Sequence, residues 1–393
     1  MSERAIVLID GEHYAPVVRD ALAALPYEVV AALLVGGTEK LRGDDDYGVP
    51  LVDSLEAVEA DLVVDLSDEP VLGPRERMLW ASRALALGLP YVGPDFRFEP
   101  PPLAPAETPS LAVIGLGKRV GKTAVAGHVA RVLARDRRVV VVAMGRGGPA
   151  EPELVETPPT LEDLITLSRS GRHAASDHLE AAALAGVPAI GCRRAGGGLA
   201  GAPFESNVLE GARLAAQLEP ELLVFDGSGA ALPPVEVDAR ILVTNGGHDA
   251  GVGLNAYRVL VSDLVVDTGG ADREAIRSIS DIPVVAAELR LRPTQPLGGR
   301  RTAVFTTGPA PTEDLDAEVV HVSRNLARRE ALREELERVE AEVYLVELKA
   351  AAVDVVAEAA LARGAEVVLA ANDVVSPELD ERLSALVPDR SRA

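Results

Sequence analysis

The stretch Leu111-Ala112-Val113-Ile114-Gly115-Leu116-Gly117-Lys118-Arg119-Val120-Gly121-Lys122-Thr123 decides the fold. Its unbroken apolar opening reads as a strand buried on both faces, the pattern of a parallel sheet. The glycine-rich turn that follows opens a helical pattern over residues 123–134. Strand, glycine loop and helix in that order make a phosphate-binding loop. Backbone N–H groups converge on phosphate oxygens, the helix N-terminus adds positive potential, a lysine reaches the β- and γ-phosphates of ATP, and a hydroxyl ligates Mg²⁺. Lys122 and Thr123 fit the last two roles, and Gly115, Gly117, Lys118, Arg119, Val120 and Gly121 complete the expected nucleotide contacts. The spacing departs from G-x-x-x-x-G-K-[ST]: counted back from Gly121, the expected first glycine falls on Leu116, between Gly115 and Gly117.

Outward from this loop the pattern stays α/β. Before it, strands at 5–9, 28–35, 61–66 and 89–92 alternate with helices at 15–25 and 74–87, which predicts a parallel sheet with helical crossovers over residues 1–95. Six prolines between 94 and 109 predict a linker at 96–109 that continues neither kind of element. Strands at 111–114, 138–143, 222–225, 241–244, 264–267 and 284–287 make 110–295 a doubly wound P-loop NTPase-type domain. Strands at 303–306, 319–322, 343–346 and 367–370, with helices at 327–339 and 351–363, make 296–393 a small C-terminal α/β unit. The expected fold class is therefore multi-domain α/β.

A length of 393 residues exceeds one ordinary core, and 48% hydrophobic with 25% charged residues excludes a disordered chain. The balance of 39 basic against 61 acidic residues, a formal charge of −22, argues against nucleic acid or an anionic membrane as partner. No secretory pattern and no membrane-length apolar run are present, so the expected location is cytoplasmic. The single cysteine, Cys192, allows neither an internal disulfide nor a cysteine-based zinc site. Only four of the basic residues are lysine, at 40, 118, 122 and 349, and two of these share the glycine loop. Between residues 110 and 150 there are eight basic side chains and one acidic, a basic segment in an acidic chain.

Further candidates lie at strand ends. Asp226, entering Gly227-Ser228-Gly229, reads as a Mg²⁺ ligand or as a turn aspartate. Asn245 reads as a contact to the adenine edge or as a turn residue. Arg146 in Met144-Gly145-Arg146-Gly147-Gly148, and Arg193 and Arg194 before Gly196-Gly197-Gly198, place guanidinium groups in two glycine-rich loops suited to phosphate. Lys118 adds a second ammonium that assists phosphoryl transfer or is simply solvated. In His173-Ala174-Ala175-Ser176-Asp177-His178 the choice lies between a substrate-contacting loop through His173 and Ser176 and a helix cap by Ser176 or Asp177. Lys349, beside Glu347, is a candidate ligand for phosphate or carboxylate. The turn Asp10-Gly11-Glu12-His13-Tyr14 reads as a substrate contact or a helix cap.

Begun at Gly115, the loop is one residue longer than usual, and in this it resembles the dethiobiotin-synthetase branch of P-loop proteins. Gly117-Lys118-Arg119-Val120-Gly121-Lys122-Thr123-Ala124, the stretches 143–149, 171–177, 190–201 and 225–234, and the turn at 8–14 together resemble the cyclic 2,3-diphosphoglycerate synthetase family. The resemblance implies an ATP-driven ligase that forms an intramolecular phosphoanhydride in 2,3-bisphosphoglycerate, releasing ADP and phosphate. It also implies a cytoplasmic homodimer. On this reading Lys118, Lys122, Arg146, Arg193 and Arg194 are catalytic, and Arg146, His173, Ser176, Arg193, Arg194 and Lys349 hold the substrate. Thr123 and Asp226 hold the metal. The residues agree with that chemistry: phosphate monoesters are already anionic nucleophiles at neutral pH, and no serine-histidine-aspartate set is evident. A related P-loop ligase or kinase acting on another small phosphate or carboxylate is the alternative, and a nucleotide-driven switch or metallochaperone is weakened by the lone cysteine.

Overall fold

The computed structural model describes residues 2–43, 45–69, 71–308 and 311–387. The chain forms two compact units. The first runs from the chain's start to Pro102 and takes in Asp249–Ser262 and Asp272–Ile282, and the second comprises the rest.

In the first unit, strands β1 (Arg4–Ile9), β2 (Glu28–Leu34), β3 (Leu51–Val52), β4 (Leu62–Asp65), β5 (Tyr91–Val92) and β6 (Arg97–Phe98) form one sheet in the order β3-β2-β1-β4-β5-β6. All neighbours are parallel except β5 and β6. Helices α1 (Ala15–Ala24) and α2 (Pro74–Ala86) are the crossovers, and Val18 and Leu22 of α1 pack on Ala5, Val7 and Ile9 of β1. The Asp10–Tyr14 turn is not a side-chain cap: α1 starts at Ala15, and Tyr14 at the N-cap makes no side-chain cap bond. Buried Asp10 instead accepts the N–H groups of Glu12 (2.9 Å) and Asp68 (2.7 Å) and meets His13 Nδ1 at 2.8 Å, so it ties the ends of β1 and β4 together.

The second unit contains two parallel-sheet systems. Strands β7 (Ala104–Pro105), β8 (Ser110–Gly115), β9 (Val139–Gly145), β10 (Glu153–Val155), β11 (Ala189–Ala195), β12 (Glu205–Ser206), β13 (Leu222–Asp226), β14 (Val235–Glu236), β15 (Ala239–Thr244), β16 (Leu264–Asp267) and β17 (Val284–Ala286) follow in sequence. The main sheet has the order β10-β11-β9-β13-β8-β15-β16-β17, with β12 paired to the far end of β11. Only β10 and β12 run antiparallel to their neighbours. Every residue of β8, β9 and β13 is buried, as their apolar runs require. Helices α3 (Lys122–Leu133), α4 (Leu161–Arg169), α5 (Asp177–Ala185) and α6 (Val208–Ala216) lie among these strands in sequence. Val125, Val129 and Leu133 of α3 share one core with Val113, Val141 and Val224.

The second sheet comprises β18 (Glu288–Pro293), β19 (Arg301–Phe305), β20 (Glu318–Ser323), β21 (Val343–Glu347) and β22 (Glu366–Val375), ordered β18-β22-β21-β19-β20. It is parallel except for the β18–β22 pair. β22 extends well past the expected 367–370 because β18 continues to pair with it through Val375. The expected helix at 351–363 begins as a π-helical segment, Ala352–Ala357, and becomes α-helical at Glu358–Ala362.

Two sequence expectations need correction. The proline-rich stretch does contribute strand residues, β6 and β7. Pro105 is tolerated because β7 and β14 form an isolated two-stranded pair with open edges. Arg193 and Arg194 lie in a strand, not a loop, because pairing with Ser206 and Glu205 of β12 extends β11 through Ala195.

Gly211 shows how closely α6 meets β11: a Cβ there would overlap Cys192 Sγ, with Ile190 Cγ2 also at 3.3 Å. Burial pushes the Cys192 thiol up to about 12, so this sulfur is a neutral packing group. Gly211→Ala should destabilise the protein by about 1–3 kcal/mol through overpacking, despite alanine's better helix propensity. Adding Cys192→Ala should restore most of the loss in urea denaturation. A single Gly211→Ala variant as stable as the native chain would show that the contact is not tight.

Candidate functional site

Elementary topology locates the site. In open α/β sheets ligands bind beyond the carboxyl ends of the strands, where strand order reverses. β8 lies between β13 and β15, and its carboxyl end runs into the 116–121 loop. Leu116 and Val120 are buried and anchor the loop, while Lys118 and Arg119 at its apex are exposed. Arg119 (φ 61°) and Gly121 (φ 80°) take the left-handed conformation; for a non-glycine residue this costs about 1–2 kcal/mol, which the surrounding bonds must offset.

Those bonds are made from outside. Asn245 Nδ2 donates to the Arg119 carbonyl at 3.1 Å, Thr268 Oγ1 donates to the Val120 carbonyl at 2.9 Å, and His248 Nε2 meets the Lys118 carbonyl at 3.0 Å. In a trans peptide C=O and N–H point in opposite directions. Tying these three carbonyls outward therefore turns the N–H groups of Arg119, Val120 and Gly121 the other way, as an anion-binding loop needs. Gly117 has no room for a side chain, since a Cβ would overlap the His248 ring.

Lys122 and Thr123 are the first two residues of α3. The Lys122 ammonium pairs with the Asp226 carboxylate at the end of β13, and both side chains are almost wholly buried. Burial pushes the Asp226 carboxyl up, and the Lys122 charge opposes that shift.

Gly117, Lys118, Arg119, Lys122 and Thr123 line an open cleft of about 450 Å³ together with Arg146, His173, Ser176, Asp177, His178, Ser228, Thr307 and Lys349 among others. Its walls come from the carboxyl ends of both sheets. β8, β9 and β13 lead into one side, while Thr307 follows β19 and Lys349 follows β21. Five basic side chains, Lys118, Arg119, Lys122, Arg146 and Lys349, face it against the single carboxylate of Asp177. Such a site concentrates positive potential.

The expected residues divide by position. Arg146 lines the cleft just beyond β9, in a turn where Gly148 must pass so near the Cys192 carbonyl that a Cβ would overlap it. Arg194 donates Nη2 to the Ser228 carbonyl at 2.9 Å and Nη1 to the Gly196 carbonyl, bracing the cleft wall. Its Nε is buried without a partner, and burial, then Arg146, lowers its pKa. Arg193 is exposed and pairs with Glu205 at 3.7 Å, and neither it nor Arg194 is among the residues that line the cleft. Asn245 supports the loop and accepts from the Gly247 N–H at 3.0 Å; it too is absent from the lining. Ser176 occupies the N-cap of α5 without a side-chain cap bond; its hydroxyl lies 3.2 Å from His178 Nδ1. Burial lowers the His178 pKa, so the ring is neutral, and its Nε2 has no partner.

Several participants carried no usable sequence signal. The Glu347 carboxylate forms no ion pair with Lys349 within 4 Å. It accepts Thr307 N–H at 2.7 Å, Thr307 Oγ1 at 3.1 Å and Asn372 Nδ2 at 2.7 Å. The Lys349 ammonium lies 3.4 Å from Glu180 of α5. His248 and Thr268 are loop supports that only strand order brings to residues 118 and 120.

Comparison with known proteins agrees with this architecture. Family models described as the N-terminal, P-loop and C-terminal domains of cyclic 2,3-diphosphoglycerate synthetase match residues 4–99, 110–287 and 293–373. A cyclic 2,3-diphosphoglycerate synthetase of Rubrobacter xylanophilus is 48% identical, over 98% of this chain and 97% of that protein. Those of Thermococcus kodakarensis (42%, over 94% of each chain) and Methanothermobacter thermautotrophicus (37%, over 98% and 96%) are also similar. Among solved structures, LpxK of Aquifex aeolicus in complex with ATP is 16% identical, covering 73% of this chain and 90% of that one with a TM-score of 0.45. With three domain models laid end to end along it and relatives matched over nearly their full lengths, the chain belongs to the cyclic 2,3-diphosphoglycerate synthetase family.

Proposed function

We propose that the protein uses ATP to close 2,3-bisphosphoglycerate into cyclic 2,3-diphosphoglycerate, releasing ADP and inorganic phosphate. The observation that carries this reading is the cleft itself. A phosphate-binding loop on one wall faces Lys349 and Thr307 on the other, and five cations line the open cleft between them. A ligase acting on an apolar carboxylate would call for apolar walls.

The chemical obstacle is charge rather than proton transfer. A phosphate monoester has its second pKa at about 6 and is already nucleophilic at neutral pH, so no general base is needed. Two polyanions must instead be brought into contact, and that requires preorganised cations and N–H groups. The N–H groups of Arg119, Val120 and Gly121 and the ammonium of Lys122 hold the β- and γ-phosphates of ATP. One substrate phosphate oxygen attacks the γ-phosphorus, and the bond to the β-bridging oxygen breaks to release ADP. The second substrate phosphate then attacks the proximal phosphorus of the new pyrophosphate, closing the ring and expelling inorganic phosphate. Arg146 and Lys349 hold the doubled-back anion so that its ends meet, and Lys118 neutralises charge at the loop apex. Arg194 acts by bracing the wall.

The residues present fit a magnesium ion. Thr123 and Asp226 offer hard oxygen donors, and among the described residues no group of three or more His, Cys, Asp or Glu forms a self-sufficient metal cage. That is the donor set of an ion which takes its remaining ligands from phosphate and water. Thr123 and Asp226 would hold it, and it would supply neutralisation of phosphate charge. No helix among the described residues is long and apolar enough to cross a membrane, and we read the enzyme as a cytoplasmic homodimer, as the family implies.

Incubated with Mg-ATP and 2,3-bisphosphoglycerate, the protein should yield a new anhydride resonance in phosphorus NMR in step with ADP. ATP turnover only with another acceptor would overturn the substrate. Lys122→Ala should lower turnover by at least about 10²-fold, the scale of losing one transition-state cation. The variant should be less stable but still folded by circular dichroism, because the buried Asp226 carboxyl, which burial pushes up, can take a proton once the Lys122 charge is gone. Activity like that of the native chain would remove the loop from the mechanism. Excess EDTA should abolish ADP release and added Mg²⁺ should restore it; turnover indifferent to chelation would exclude the metal role of Thr123 and Asp226.

A further inference from the structure

A lysine that must seize a polyanion presents a positioning problem. Its four-carbon stem has many rotamers, and it shares this cleft with Lys118, Arg119, Lys122 and Arg146, while the carboxylates that act on its charge are Glu180, Glu347 and Asp177. The backbone of Lys349 is held firmly. Its N–H donates to the Glu347 carbonyl at 2.7 Å, its own carbonyl accepts from Ala352 at 2.9 Å, and Ala350 turns the chain at φ 47°. The side chain needs a separate restraint.

Glu180 supplies it. Asp177, Ser176 and His178 at the start of α5 line the cleft, and Glu180 lies three residues further along, on the same face as Asp177. Its side chain is nine-tenths buried, and its Oε1 is 3.4 Å from Lys349 Nζ. No role in the mechanism above uses this carboxylate. We propose that Glu180 is the positioning residue of Lys349, keeping the ammonium aimed across the cleft so that affinity for the bisphosphorylated substrate, and not for ATP, depends on it. The electrostatics are mutual: burial, opposed by the Lys349 charge, leaves the Glu180 carboxyl pushed up to about 7, while burial lowers the Lys349 pKa and Glu180, then Glu347, raise it. This inference rests on the cyclisation reading, since it takes Lys349 to be a ligand of the phosphorylated acid.

The test is steady-state kinetics on the full chain, following ADP release while 2,3-bisphosphoglycerate and ATP are varied in turn. Glu180→Gln should raise KM for 2,3-bisphosphoglycerate by about tenfold, the scale of one charge-assisted contact, and leave KM for ATP within about twofold. Glu180→Asp, which keeps the charge but withdraws it by one methylene, should fall between, and it supplies the same test if Glu180→Gln does not fold. Combining Glu180→Gln with Lys349→Ala should add nothing to Lys349→Ala alone, because both act through one ammonium. Equal rises in both KM values, additive effects with Lys349→Ala, or native kinetics in the Glu180 variants would each overturn the inference while leaving the reaction standing. A native chain that releases no ADP with 2,3-bisphosphoglycerate would overturn the reaction, and this inference with it.

Discussion

The buried pair of Lys122 and Asp226 is the constraint on which the site depends. It joins the first residue of α3 to the last residue of β13, two points 104 positions apart in the chain. Neither charge has water to turn to, and a buried ion pair contributes little net stability when intact but much instability when one partner is lost. Its value here lies in readiness. In the proposed reaction an ammonium already held at a helix N-terminus, beneath a loop whose N–H groups are turned inward, has only to exchange Asp226 for a phosphate when a triphosphate arrives. Asn245, His248 and Thr268 complete the arrangement by holding three loop carbonyls outward.

The opposite wall solves a different problem. The second sheet brings Thr307 and Lys349 to the cleft from the carboxyl ends of β19 and β21, with Glu347 bonding both Thr307 and Asn372 behind them. The same topological rule that places the phosphate loop thus operates twice in one compact unit. In the proposed reaction one wall holds the nucleotide and the other holds the acceptor. That division accounts for a ring closure that needs orientation and charge neutralisation but no proton acceptor.

An overall charge of −22 does not conflict with a polyanionic substrate. Electrostatic focusing depends on local placement, and five cations against one carboxylate line the cleft of an otherwise acidic chain. Lysine is used sparingly, and three of its four occurrences face this space; the fourth, Lys40, lies in the first unit beside the Tyr14 ring. Arginine serves elsewhere, including at Arg194, where a planar fork grips two backbone carbonyls as an ammonium could not.

Sequence alone determined the α/β class and the phosphate loop with Lys122 and Thr123. Each is set by local order, because an apolar run, a glycine turn and a helix start lie next to one another in the chain. Only tertiary structure decided which of Arg193 and Arg194 braces the cleft wall, that Asn245 supports the loop, and that Lys349 meets Glu180 rather than nearby Glu347. Side chains alternate along a strand, so a reading without register cannot choose between neighbours. Partners 169 residues apart in sequence, such as Glu180 and Lys349, meet only because helix α5 and strand β21 present their ends to one cleft.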